Sequence, residues 1–251
     1  MNSTGIPPKS ETVQLLVKRD SKSSTQILAG EIKGVATHFV TVPTGVSFKA
    51  PSAISQQTIY FIVEGSGSFA TNAESKAVSR RTLFVPEPGV TAEFAAAQDS
   101  CLLQICMDIH PEESGALHHA PFPIVTLYEN CEHYRDYFKS EKTVSRTLIH
   151  PFTLARFSMG SVETTGPDRI EPHSHRMLDQ LFFSFAENNC DLVIDGESFQ
   201  FGGNCLLHIP LGSAHGIDAK PGDKVHYLWI DFFEKSEDMQ YLVDTHKPVG
   251  T

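Results

Sequence analysis

Basic residues are scarce in this chain. Lysine and arginine number 20 against 30 aspartates and glutamates, a formal net charge of −10. A field of that sign repels phosphate backbones and anionic lipid headgroups, so neither nucleic acid nor a membrane surface is an expected partner. No apolar run reaches the roughly 20 residues that a bilayer crossing needs. The opening residues, Met1-Asn2-Ser3-Thr4-Gly5-Ile6-Pro7-Pro8, hold no basic block followed by an apolar one. A loose tail over residues 1–10 and a cytoplasmic location are therefore expected. Cysteines are few and odd in number: Cys101, Cys106, Cys131, Cys190 and Cys205, with no Cys-x-x-Cys spacing. That argues for free thiols in a reducing compartment rather than a disulfide framework. Also missing are a glycine-rich phosphate loop and a nucleophile motif, which argues against phosphoryl and acyl transfer.

What is present is a series of short β-type runs. Val, Ile, Phe, Leu and Thr concentrate at Thr37–Val42, Thr58–Val63, Thr82–Val85, Cys101–Ile105, Thr153–Phe157, Leu181–Phe185, Asp191–Ile194, Cys205–Ile209 and Val225–Phe232, with Gly, Pro, Asn and Asp between them. Such spacing predicts an all-β sandwich or barrel rather than alternating strands and helices. Helical patterning is confined to Cys131–Phe138 and Ser236–Asp244, the latter with Met239, Leu242 and Val243 as its apolar side. With 251 residues there is room for two small domains.

The chain looks duplicated. Gln57–Ile62 parallels Gln180–Phe185, and Phe84–Thr91 parallels Leu207–His215, at an offset of 123 to 124. This predicts an N-terminal barrel at 11–108, a connecting segment at 109–145, a C-terminal barrel at 146–235 and a terminal helix or tail at 236–251. Measured back from Gln57, the places of His173 and His175 hold Ala50 and Ser52, and that of His215 holds Thr91 or a neighbour. The first repeat keeps the frame without the donors.

Chemistry concentrates in the second repeat. Glu171-Pro172-His173-Ser174-His175 is followed by Gln180 and then by Pro210-Leu211-Gly212-Ser213-Ala214-His215, which places His215 35 residues after Gln180. Two histidines two apart on an extended segment point the same way. Donors on a following strand and a returning hairpin can close with them around one ion. Three imidazoles and an amide oxygen suit a borderline divalent cation such as Mn, Fe, Co, Ni or Zn.

At these residues the sequence resembles the cupins, and among them the two-domain bicupins. The first cupin motif reads Gly166, His173, His175, Gln180, Gly196, with Gln180 where Glu is usual; the second reads Gly203, Pro210, Gly212, His215. The resemblance implies two tandem antiparallel jelly-roll barrels, with one metal ion held in the second by His173, His175, Gln180 and His215. Glutamine at this place, together with two domains, is similar to the isomerase of bacilysin synthesis. An empty first barrel with a metal in the second is similar to ureidoglycine aminohydrolase. A neutral Gln180 leaves a charge near +2 on the complex where Glu would leave about +1, which favours an anionic substrate.

Other residues are weaker candidates. His226 and His208, on neighbouring strands, could serve as acid or base, although structural histidines are the commoner case. Arg156 could clamp a carboxylate if it points inward. Thiolate ligation by Cys205 is disfavoured, and His118-His119 reads as a solvated loop. The expected function is a metal-dependent enzyme of isomerase or hydrolase type, working on a small oxo- or hydroxy-acid, or a sugar-derived acid, by isomerisation, tautomerisation or related proton chemistry. A non-haem iron dioxygenase and a ligand-binding sensor without turnover are the alternatives. A homodimer is an expected assembly.

Overall fold

The computed structural model describes residues 8–18, 21–49, 52–72 and 74–249. The chain divides into two units, Gln14–Asn130 and Cys131–Thr251 with Met1–Val13. Each is built from two antiparallel sheets.

In the first unit the larger sheet runs in the order Ile124–Leu127, Thr82–Val85, Gln56–Glu64, Ser100–Asp108, Val35–Val42, Ser23–Ile27. The smaller runs Ser47–Lys49, Glu93–Ala96, Ser66–Ala70, Ser75–Ser79. Alternating side chains of both meet in one apolar core that includes Phe48, Tyr60, Phe69, Phe84 and Phe94. The stacked rings of Phe69 and Phe84, with centroids 4.2 Å apart, lie within it.

The second unit repeats the plan. Its larger sheet runs Ser10–Thr12, Cys205–Ile209, Leu178–Ser184, Lys224–Phe233, Phe157–Thr165, Val144–Leu154, Glu132–Arg135, Lys247–Pro248. Its smaller sheet runs Asp168–His173, His215–Ala219, Cys190–Ile194, Glu197–Phe201. The shared order of strands bears the duplication out through both sheets. The outer place that Ile124–Leu127 fills in the first unit is filled in the second by Ser10–Thr12, paired to Cys205–Ile209.

Several sequence expectations are corrected. Cys131–Phe138 is not helical: Glu132–Arg135 is a strand, with Tyr134 opposite Ser145. The buried pair Cys131 and Tyr134, three apart, mimicked a helical face, but pairing to a sheet edge overrides local pattern. The segment 109–145 is not one connection, because Ile124–Leu127 joins the first unit's sheet and Glu132–Arg135 the second's. Thr153–Phe157 is not one strand. Ala155 and Arg156 form a tight turn, Ala155 with φ +48°, that closes a hairpin between Leu154 and Phe157. In the terminal segment, the 3-10 turn Ser236–Met239 leads into the helix Gln240–Thr245. That change of pitch keeps Met239 and Leu242 buried and turns Val243 outward. Residues 1–7 and Ala50 lie outside the described residues.

The register also moves one equivalence by a residue. Gln180 faces Asp231 across the second unit's sheet, and Gln56 faces Asp108 across the first's. The counterpart of Gln180 is therefore Gln56, not Gln57. A one-residue slip sends a side chain to the opposite face. Gln57 is buried with its amide on the Thr58 and Pro86 carbonyls, at 3.1 and 2.9 Å.

Gly160 lets the sheet close over the core of the second unit. A Cβ there would stand 2.2 Å from the Trp229 ring and 2.3 Å from the Arg146 carbonyl oxygen. Because one neighbour is backbone, the clash cannot be relieved by a rotamer change. Gly160→Ala is expected to destabilise the second unit by about 2–3 kcal/mol, read as a lower denaturant midpoint. An unchanged midpoint would contradict this packing.

Candidate metal centre

The site is assembled from three strands and one turn of the second unit. His173 ends the strand Asp168–His173, and His215 opens the strand paired with it, the two being directly opposite. His175 lies just beyond, in the turn before Leu178–Ser184. Gln180 is on that next strand. One ligand nitrogen from each of His173, His175 and His215 lies within 4.8 Å of the others. It is the one such cluster found among the described residues.

Backbone carbonyls orient two of the three imidazoles. His173 Nδ1 sits 2.8 Å from the Glu171 carbonyl and His215 Nδ1 3.2 Å from that of Ser213. A carbonyl only accepts, so each Nδ1 carries the proton and each Nε2 keeps its lone pair. Phe138 stacks on the His173 ring with centroids 4.2 Å apart. Burial, foremost, pushes His175 down to about 3 and His215 well below its ordinary value, with the other histidines adding to the effect. Neutral imidazole is the form a metal needs.

Gln180 supplies the test of fit. Its Nε2 donates to Asp231 Oδ1 at 2.6 Å. Its Oε1 is buried and has no hydrogen-bond partner. An orphaned buried acceptor costs free energy unless something electropositive meets it. Together with three neutral imidazoles, this oxygen makes a donor set suited to a divalent transition metal.

These four residues line one cavity. Phe182, Tyr227 and Trp229, aromatics that could serve as core or as pocket wall, line it too, while several polar groups escaped the sequence reading. Asp136 and Tyr134 come from the stretch that read as a helix, Lys139 from just beyond it, and Asp231 from an apolar strand. Tyr241 and His246 arrive from the terminal segment. Asp136 and Lys139 form a buried ion pair, and Lys139 Nζ donates to Tyr134 Oη at 3.2 Å. Burial pushes the Asp231 carboxyl up to about 7, partly offset by the bond from Gln180. The nearest sequence signal was the lone acid in His226-Tyr227-Leu228-Trp229-Ile230-Asp231-Phe232, where alternation aims Asp231 with Tyr227 and Trp229.

The remaining candidates lie elsewhere. His226 occupies the opposite face of its strand from Tyr227, Trp229 and Asp231, and its Nδ1 bonds Glu187 at 2.6 Å. Arg156 is buried in the Leu154–Phe157 hairpin turn and does not line the cavity. His208 pairs with Asp179 at 3.4 Å, away from the cluster. Alternation explains His226 and His208, because each has the parity that points out of the barrel, while Arg156 is taken off the strand by the hairpin turn. Cys205 is a buried free thiol outside the cluster, and all five cysteines are free. No helix among the described residues is long and apolar enough to cross a membrane.

No family model matches this sequence, and no curated protein matches it. The likeness is to solved structures. A cupin 2 conserved barrel domain protein from Leptotrichia buccalis superposes with a TM-score of 0.61 at 14% identity, over 87% of this chain and 92% of that one. The fold is that of the cupins. A putative glyoxylate induced protein from Pseudomonas aeruginosa superposes at TM-score 0.71 and 12% identity, covering 83% of this chain and 79% of that one. The oxalate decarboxylase of Lactobacillus farciminis, in complex with formate, gives 0.65 and 12% over 83% and 80%. At these identities it is the cupin architecture that is shared, while function follows from the site each barrel carries.

Proposed function

We propose that the second unit holds one divalent transition-metal ion and acts on a small oxo- or hydroxy-acid, or a sugar-derived acid, by isomerisation or tautomerisation. His173, His175, His215 and Gln180 would hold the ion. The observation that carries the reading is the buried, partnerless Gln180 Oε1 in one cavity with three neutral imidazoles and a lysine. An ion bound there supplies Lewis-acid polarisation of a substrate oxygen.

The chain's own residues do the rest. An ammonium has three donors, and Asp136 and Tyr134 engage two of those on Lys139. The third is left for a substrate carboxylate, whose charge the buried ammonium would bind strongly. Asp136 fixes the lysine, so the carboxylate is oriented as well as bound. Tyr134 Oη, next to that ammonium, is the group placed to hydrogen-bond a substrate oxygen. Burial raises its pKa and Lys139 opposes the rise, which keeps the hydroxyl protonated at neutral pH. Trp229, Tyr227 and Phe182 supply the apolar wall that excludes water from the reacting carbons. Two proteins of the same fold are named for small carboxylates, which accords with an acid substrate.

The test has two arms. Native protein is analysed for bound metal, then incubated with 2-oxo and 2-hydroxy acids in deuterated buffer and followed by proton NMR. Exchange at the carbon beside the carbonyl, abolished by a chelator, is the expected result. Metal-loaded protein that neither exchanges nor binds any such acid overturns the reading. Oxygen uptake in place of exchange moves the assignment to a dioxygenase.

A further inference from the structure

We infer that Asp231 is the positioning residue that turns the Gln180 oxygen toward the ion, and that its presence is why an amide rather than a carboxylate stands at 180. This rests on the metal reading above. The two side chains are directly opposite on paired strands, and both are buried. Gln180 Nε2 meets Asp231 Oδ1 at 2.6 Å, and Oε1 is left without a partner.

The chemistry permits one arrangement. A carboxylate only accepts, so the end of the amide that faces Asp231 must be the nitrogen. The oxygen is thereby committed to the other side, and free rotation between two near-equivalent amide orientations is removed. A glutamate at 180 would instead set two carboxylates at this separation. They would repel, or share a proton that occupies the very oxygen a cation needs. The negative charge that a glutamate ligand would carry is therefore not lost from the site. It stands one residue further out, on Asp231.

The repeat supplies an independent observation. Gln56 Nε2 donates to Asp108 Oδ1 at 3.0 Å, at the matching register of the first unit. No histidine cluster accompanies it among the described residues. The Gln–Asp pair thus belongs to this pair of strands, and the second unit places its freed oxygen beside three histidines.

A charge-swap cycle tests the inference, with ion affinity measured by calorimetry using Mn, Co and Zn salts alone and melting curves of the metal-free proteins alongside. Gln180→Glu is expected to bind at least about tenfold more weakly than wild type. Adding Asp231→Asn gives the new carboxylate an amide donor and is expected to restore most of that loss. Asp231→Asn alone, which keeps an acceptor for Gln180, should lose less than Gln180→Glu. Asp231 acting only in folding would make the double variant no better than Gln180→Glu, and that result overturns the inference. Wild-type affinity in Gln180→Glu does so too. Should Gln180→Glu fail to fold, a folded and ion-binding double variant is the same rescue, and a double variant that also fails counts against the pairing. Wild-type protein that takes up none of the three ions overturns the metal reading itself, which separates the two failures.

Discussion

Replacing His173 and His215 together by alanine is expected to leave the protein without bound metal and to make its melting temperature insensitive to chelator. The two rings face each other across paired strands, and their centroids are 4.7 Å apart. With both gone, His175 and Gln180 cannot hold a borderline cation against water. An ion that binds only the native state stabilises it by about 2.7 kcal/mol at a hundredfold excess over its dissociation constant. Wild-type protein should show that difference between metal-loaded and chelated samples, and the double variant should show none. Elemental analysis and paired melting curves read both quantities. The matching control is Ser52→Ala in the first unit, which should leave metal content unchanged. Equal metal in wild type and the double histidine variant would end the case for this site.

Removing the ammonium of Lys139 is the second large effect. Lys139→Met alone leaves the buried Asp136 carboxylate uncompensated, which costs stability and also repels an anion. The cleaner variant pairs Lys139→Met with Asp136→Asn, so that no lone charge stays in the cavity. A hydrogen bond to a charged group contributes roughly 1.5–3 kcal/mol, so affinity for an anionic substrate should fall by about 10- to 100-fold. Affinity for the uncharged amide or ester analogue of the same acid should change little, and metal content should not change. Titration calorimetry of acid and ester against both proteins separates these outcomes. An unaltered affinity for the acid would show that the carboxylate is bound elsewhere.

Much of the architecture was legible along the chain. Thr82–Val85 and Cys205–Ile209 are strands with the expected bounds, because four or five apolar residues between turn residues have few other uses. The repeat was legible because both copies keep the same strand order. The three histidines were legible because a period of two and a returning hairpin are local geometry. Illegible were Lys139, Tyr134 and Asp136. Tyr134 sits on a strand held by pairing to Val144–Leu154, and Lys139, a few residues on, is bridged to Ile170, so long-range pairing rather than local pattern places them. Arg156 was misplaced because a hairpin turn interrupts the run that read as one strand, and His226 because the parity of a strand is fixed only when its partners are known. Gln57 was taken for Gln56 for the same reason.

Sequence alone determined the all-β class, the doubling of the chain and the presence of three clustered imidazoles in its second half, since each follows from short-range periodicity and spacing. Tertiary structure decided what surrounds them: the carboxylate behind Gln180, the lysine across the cavity, and the terminal segment at its wall. Those neighbours come from distant strands whose registers are settled by packing two sheets against one core. A shift of one residue in any of them would have pointed a different side chain into the cavity.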